Sequence, residues 1–403
     1  MDSTVAPILY ESAVSIPPHS AVPEDARDKR HHLRGGGFRN PWESCKVTPF
    51  LSILPTMILR HITGEANIPD TTPPTVPVRR AQFLPDRNTP KLRATWLGHA
   101  CYYVEFPSGL RVLFDPVFED RCSPVSWFGP KRFTEMPCKI EDLPFIDAVV
   151  ISHNHYDHLS LPTVKKIHEK YPGCHFFVPL GNKKWFSDIG IHNVTELDWW
   201  EERELVLTPK NDEEEKTNGG SSEVATVVNR ASSNTEIRAR IGCLPSQHTS
   251  SRTLWDRSKT LWASWSVESG GSKVYFAGDT GYRTVPKLPK DVDDYGPGHN
   301  YPHCPAFAQV GALRGPFTLG LIPIGAYAPR FLFSCMHSDP HDAVNIFKDT
   351  KCARALGIHW GTWVLTEEDV LEPPKKLKEA LKRNGIAETG VFDVCEIGES
   401  REF

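Results

Sequence analysis

Within the stretch Ile151-Ser-His-Asn-His-Tyr-Asp-His-Leu159 the chain places His153, His155, Asp157 and His158 almost side by side. Three imidazoles and a carboxylate at this density are awkward to bury without a cation. Neutral imidazole and carboxylate are the usual ligands of zinc and related divalent ions. On a turn leaving a strand, the alternate residues His153 and His155 face one point. Asp157 and His158, starting the next helix, face a second point beside it, so the spacing predicts two metals. The competing reading is a polar loop of unrelated histidines.

Three more residues of ligand type stand where strands should end: His248, Asp279 in Phe276-Ala-Gly-Asp-Thr-Gly-Tyr282, and His359 in Leu356-Gly-Ile-His-Trp-Gly-Thr362. A single strand-end histidine is more often a satisfied polar group than a ligand. Together with the first cluster, however, the set holds five histidines and two aspartates, enough for two sites with an open position. The glycines around Asp279 would let the backbone turn tightly next to them.

The elements that must position these residues follow from hydrophobic periodicity. Strands are expected at 93–97, 100–106, 110–114, 146–152, 174–179, 194–199, 237–244, 261–267, 273–277, 319–324, 355–359 and 391–397. Helices are expected at 161–171, 183–189, 340–349 and 374–384. Two halves of strands plus helices predict a sandwich of two sheets flanked by helices. Residues 1–40, rich in proline, glycine and charge, read as a disordered lead-in. Residues 41–91 read as an N-terminal helix and linker packed on or near the core, with the helix starting near Ile53 so that Pro55 falls in its first turn. Its apolar stripe (Phe50, Ile53, Leu54, Met57, Ile58) either docks on the core or meets lipid or a partner. A compact domain then spans 92–403. Within it, 209–236 reads as a disordered insertion, and 118–144 and 286–307 as long loops.

Composition narrows the function classes. A net charge of -4 and a pI near 6.5 give no electrostatic footprint for nucleic acid. The ten cysteines never form CxxC and predict reduced, mostly buried thiols in an intracellular compartment. The first twenty residues lack a basic, then apolar, secretory pattern, and no apolar run approaches the roughly 18 residues of a membrane span. The expected protein is therefore soluble or peripheral on a membrane, with its organelle unspecified.

The ordered set His153-x-His-x-Asp-His158, His248, Asp279 and His359 resembles the metallo-β-lactamase superfamily. More closely, several stretches resemble the N-acyl-phosphatidylethanolamine-hydrolysing phospholipase D family. They are Asn40-Pro-Trp42, Thr95-Trp-Leu-Gly-His-Ala100, Gly129-Pro-Lys-Arg-Phe133, Glu196-Leu-Asp-Trp-Trp-Glu201, Ile322-Pro-Ile-Gly-Ala-Tyr327, His359-Trp-Gly361 and Gly398-Glu-Ser-Arg401. The resemblance implies an α/β fold, an αββα sandwich carrying an N-terminal extension. It implies two zinc ions, one held by His153, His155 and His248, the other by Asp157, His158 and His359, with Asp279 bridging. Asp157, Asp279 and His337 would act in catalysis, and His337, Arg252 and Tyr156 would contact substrate. An exposed loop histidine is the alternative for His337, and a structural role the alternative for Arg252. Asp115 is either a carboxylate orienting a ligand histidine or the initiator of a turn before Pro116. The implied reaction is attack of a metal-bridging hydroxide on the phosphorus of N-acyl-phosphatidylethanolamine at a membrane surface, releasing N-acylethanolamine and phosphatidic acid. A homodimer is also implied. Other readings of the same ligand set are a nuclease, which the acidic pI opposes, a sugar-phosphate lactonase, or a lipid sensor without catalysis.

Overall fold

Ala94, Trp96, Tyr102, Val104, Val112 and Phe114 pack into one core, while their neighbours Leu97, Cys101, Tyr103 and Leu113 pack into another. That two-residue alternation makes the segment a sheet buried on both faces. The computed structural model describes residues 10–18, 20–209, 236–289 and 292–403.

In chain order the strands of the first half are β1 (Tyr10–Ser15), β2 (Arg93–Gly98), β3 (Cys101–Glu105), β4 (Arg111–Phe114), β5 (Ala148–Val150), β6 (His175–Pro179) and β7 (Val194–Leu197). Those of the second are β8 (Glu202–Pro209), β9 (Ile237–Leu244), β10 (Ser264–Ser269), β11 (Ser272–Phe276), β12 (Phe317–Pro323), β13 (Cys352–Ile358), β14 (Phe392–Asp393) and β15 (Ser400–Glu402). The helices are α1 (Phe50–Ile62), α2 (Leu161–Lys170), α3 (Lys183–Asp188), α4 (Ala306–Leu313), α5 (Arg330–Phe333), α6 (Pro340–Asp349) and α7 (Glu372–Arg383).

One sheet runs β15-β2-β3-β4-β5-β6-β7 and the other β1-β8-β9-β10-β11-β12-β13-β14. Val164, Ile167 and Phe186 carry α2 and α3 onto the outer face of the first sheet. Phe307 and Val310 of α4, Val344 and Phe347 of α6 and Leu377 and Leu381 of α7 cover the second. The layers are therefore helix, sheet, sheet, helix, as expected. In each half the later strands run parallel, β4 to β7 and β11 to β14. Their carboxyl ends lie on one edge, where ligands of open parallel sheets collect.

Several expectations change. The expected lead-in contains β1, which pairs antiparallel with β8 from Tyr10↔Pro209 to Ser15↔Glu204. Its alternation, with Tyr10 and Val14 against the core, is hidden in sequence by the flanking polar and proline residues. Residues Tyr10–Ser15 thus form the edge strand of the larger sheet. Helix α1 begins at Phe50, with Pro55 inside it, three residues before the expected start. Strand β10 starts at Ser264, not 261. The preceding residues bond across to loops of the other sheet, Leu261 N–H to Leu180 O (2.8 Å) and Ala263 N–H to Ser152 O (2.9 Å). The strand expected at 391–397 shortens to β14. Helix α4 starts inside the expected loop 286–307; its eight residues are apolar nearly all round and show no stripe. The expected insertion 209–236 falls almost wholly outside the described residues.

The 66–91 linker is stitched to the first sheet. Arg79 N–H bonds Ile397 O (2.8 Å), and Arg87 grips Asp147 through two bonds of 2.7 and 2.8 Å. Asp147 is buried, so Arg87→Ala should leave its charge with only the Arg111 N–H (2.7 Å) as partner. We expect a stability loss of about 3 kcal/mol, measured by urea denaturation.

Candidate active site

Each cluster residue sits at a strand's carboxyl end. His153, His155, Asp157 and His158 follow β5, His248 follows β9, Asp279 follows β11 and His359 follows β13. A tight turn after β11 is required: Gly278 has φ +57°, and a Cβ there would lie 2.4 Å from Ser152 Cβ. His337 follows the short α5, and Asp115 ends β4.

These side chains converge. The ligand-type atoms of His153, His155 and His248 lie within 4.8 Å of one another, as do those of His99, Asp157, His158 and His359. Asp279 reaches both groups: its Oδ2 is 2.9 Å from His359 Nε2, 3.2 Å from His158 Nε2, 3.7 Å from His248 Nε2 and 3.8 Å from His153 Nε2. His337 Nδ1 lies 3.9 Å from the same oxygen. The buried atoms His158 Nε2, both ring nitrogens of His359, Asp279 Oδ1 and His337 Nδ1 make no hydrogen bond of good geometry. Orphaned polar atoms at the heart of a folded chain are costly unless they share a ligand.

Protonation fits the same reading. Burial holds His153 and His248 well below the usual imidazole range and lowers His155 too, so all three keep a lone pair for a cation. Burial pulls His337 down to about 4. For Asp157 and Asp279 burial pushes upward, but the facing histidines, His158 first, outweigh it and keep both carboxyls well below their ordinary value. Burial likewise opposes protonation of His158 and His359, yet the carboxylates win, raising His158 well above its ordinary value and His359 to about 9. Two aspartates are thus ionised and compensated by protonated imidazoles, a balance that divalent cations would replace. The donor set and its orphaned atoms fit metal ions.

The site's supports are explicit. Asp115 Oδ2 lies 2.6 Å from His158 Nδ1 and accepts Ser152 Oγ–H at 2.5 Å, while Oδ1 accepts Ser152 N–H at 2.7 Å. His248 Nδ1 lies 2.9 Å from Met336 O. His99 is the residue that sequence reasoning left without a role. Its Nε2 stands 3.0 Å from Asp157 Oδ2, and its carbonyl accepts His359 N–H at 3.1 Å. The only signal for it was its place in the Thr95–Ala100 stretch. Arg252 does not point its bonds at an open site: Nη1 donates to Asn154 O (2.9 Å) and Leu159 O (2.8 Å), bracketing the turn that carries His155, Asp157 and His158. Its guanidinium lies 4.0 Å over the Tyr156 ring. Tyr156 and Arg252 line a cavity of about 720 Å³ with Glu119, Arg121, Leu161 and Trp185.

The beta-lactamase superfamily domain matches residues 110–360. An N-acyl-phosphatidylethanolamine-hydrolyzing phospholipase D 1 of Caenorhabditis elegans is 34% identical over 96% of this chain and 98% of its own. The chain belongs to that phospholipase D family, within the β-lactamase superfamily. A mitochondrial N-acyl-phosphatidylethanolamine-hydrolyzing phospholipase D of Saccharomyces cerevisiae is 33% identical over 77% of this chain and 55% of its own length. Among solved structures, a metallo hydrolase of Ignicoccus hospitalis aligns with a TM-score of 0.45 at 19% identity, covering 78% of this chain and 98% of that one.

As a member of this family the chain is a metal-dependent hydrolase. Asp115→Asn should then weaken metal retention about 10- to 100-fold, because the amide cannot hold His158 and the Ser152 hydroxyl as the carboxylate does. Competition against a graded chelator series measures it.

Proposed function

We propose that this family member is a two-zinc phosphodiesterase cleaving N-acyl-phosphatidylethanolamine at a membrane surface to N-acylethanolamine and phosphatidic acid. The observation that carries the proposal is the convergence of six ligand-type side chains with Asp279 in a chain alignable almost end to end with a phospholipase of that specificity. His153, His155 and His248 would hold one ion and Asp157, His158 and His359 the other, with Asp279 between. Bound zinc would supply Lewis acidity and lower the pKa of a coordinated water.

The chain's own groups do the positioning. Asp115 and the Met336 carbonyl fix the rotations of His158 and His248. His337, neutral at physiological pH, presents an imidazole N–H to a phosphoryl oxygen. Arg252 keeps the ligand turn from opening. Water adds to phosphorus as the bond to the ethanolamine oxygen breaks, and the departing oxygen takes a proton.

Exposed apolar groups stand on segments tied to those that carry the site, and they support a membrane role. Arg60 of α1 is bound to buried Glu367 (2.6 Å), on the segment after His359. Trp127 and Phe128 belong to a loop that clasps 361–363, through Phe133 N–H to Thr362 O (3.0 Å) and Trp363 Nε1–H to Asp120 O (3.1 Å). Leu254 and Trp255, 72% and 88% exposed, follow Arg252. No helix among the described residues is long and apolar enough to cross a membrane. The reading includes an intracellular, peripheral location and a homodimer, the latter measurable by light scattering.

The test is metal analysis of the purified chain coupled to mass spectrometry of products from vesicles containing N-acyl-phosphatidylethanolamine. The proposal expects two zinc ions in this site and release of N-acylethanolamine. Zinc-loaded protein that leaves this lipid intact would overturn it.

A further inference from the structure

The Glu196-Leu-Asp-Trp-Trp-Glu201 stretch has no part in the hydrolytic centre, yet its Asp198 is buried and anchors a second group of metal-binding type. His31 Nε2 lies 2.7 Å from Asp198 Oδ1, and His32 Nε2 lies 2.8 Å from Oδ2. All three ligand atoms fall within 4.8 Å of one another. We infer that His31, His32 and Asp198 form a further divalent-cation site, separate from the hydrolytic one, which staples the N-terminal segment to the sheet.

The geometry is built. His31 is buried, its ring stacked on Trp199 at 4.3 Å, and Trp199 is stacked in turn on Trp42 at 5.4 Å. Asp198 is further oriented by Trp199 N–H, which donates to Oδ1 at 2.9 Å. His32 stays partly open to water, leaving room for the solvent ligand that completes tetrahedral coordination. Ligand atoms around tetrahedral zinc stand roughly 3.3 Å apart. The 2.7 and 2.8 Å separations therefore need to open by about half an ångström. The hydrolytic ligands show the same close spacing, with His153 Nε2 and His155 Nδ1 also 2.8 Å apart. Two imidazoles and one carboxylate suit zinc and its transition-metal neighbours, not calcium or magnesium.

One charge competes. Lys29 Nζ sits 2.9 Å from Asp198 Oδ2, but its side chain is 54% exposed and free to swing into water when a cation enters. The ammonium fills the place a metal would take. The staple's consequence lies a few residues on: Arg39 N–H bonds His31 O (2.8 Å), Asn40 Nδ2–H bonds His248 O (2.8 Å), and Ser44 Oγ–H bonds Gln247 Oε1 (2.6 Å). A cation at Asp198 would thus fasten the segment that braces a ligand of the hydrolytic site.

The experiment counts zinc by plasma mass spectrometry in the full chain, His32→Gln and Lys29→Gln, and records thermal unfolding with and without added zinc. The inference expects His32→Gln to hold one zinc fewer than the unsubstituted chain while retaining the hydrolytic ions and activity. It also expects that variant to lose most of the zinc-induced rise in Tm. Lys29→Gln should bind the extra zinc more tightly, because its competitor is gone. A metal-free ion-pair clamp predicts the reverse: equal zinc in all three proteins, with Lys29→Gln merely less stable. That result overturns the inference and leaves the proposed hydrolytic function untouched.

Discussion

Asp279→Asn should abolish hydrolysis while leaving the fold intact. The substitution is isosteric, so the tight Gly278 turn and the packing around it are retained. What disappears is the charge that His359, His158, His248, His153 and His337 face, at 2.9 to 3.9 Å. Oδ1 has no other partner to fall back on. On the proposed two-ion reading, losing the carboxylate between the ions should remove several kcal/mol of metal-assisted stabilisation, lowering kcat by roughly a thousandfold or more. Bound metal should fall with it. Full metal content together with activity within about tenfold of the unsubstituted enzyme would show that Asp279 is not the shared ligand.

The second large effect concerns α1. Leu54, Ile58 and Leu59 are 63%, 51% and 58% exposed, whereas Ile53 and Met57 of the same stripe are half-buried. The helix therefore turns an apolar edge outward, and the docking alternative accounts for only part of the stripe. Transferring these three partly exposed side chains into lipid is worth about 1 kcal/mol each. The triple change to aspartate should then weaken vesicle binding about a hundredfold or more, since each 1.4 kcal/mol is a factor of ten. Turnover on substrate dispersed in detergent should change little. An equal loss in both assays would mean that α1 supports the fold and does not meet the bilayer.

The site was legible to very different degrees residue by residue. His153, His155, Asp157 and His158 declare themselves by density alone. His248, Asp279 and His359 were readable because each follows a segment expected to be a strand, and a strand's end is where a side chain can leave the sheet and meet others. His99 could not be read this way, since it follows a strand like many other histidines and has no ligand-type neighbour in sequence. Its role arises from Asp157, 58 residues further along. Arg252 looked like a substrate contact, and only the positions of the Asn154 and Leu159 carbonyls reveal its hold on the turn.

The same division holds for the fold. By itself the sequence determined the candidate ligand residues, their order, the two-sheet sandwich and the choice of strand or helix for most segments. These depend on local periodicity and on which atoms can bind a cation. The tertiary structure alone decided that β1 lies beside β8, that Asp115 serves His158 as well as ending β4, and that His31 and His32 meet Asp198. Periodicity states which face of an element is apolar but not which element will cover it. A pairing across some two hundred residues is selected by the packing of the whole chain, and the contacts of Asp115 with His158 and of His99 with Asp157 are assembled by that packing.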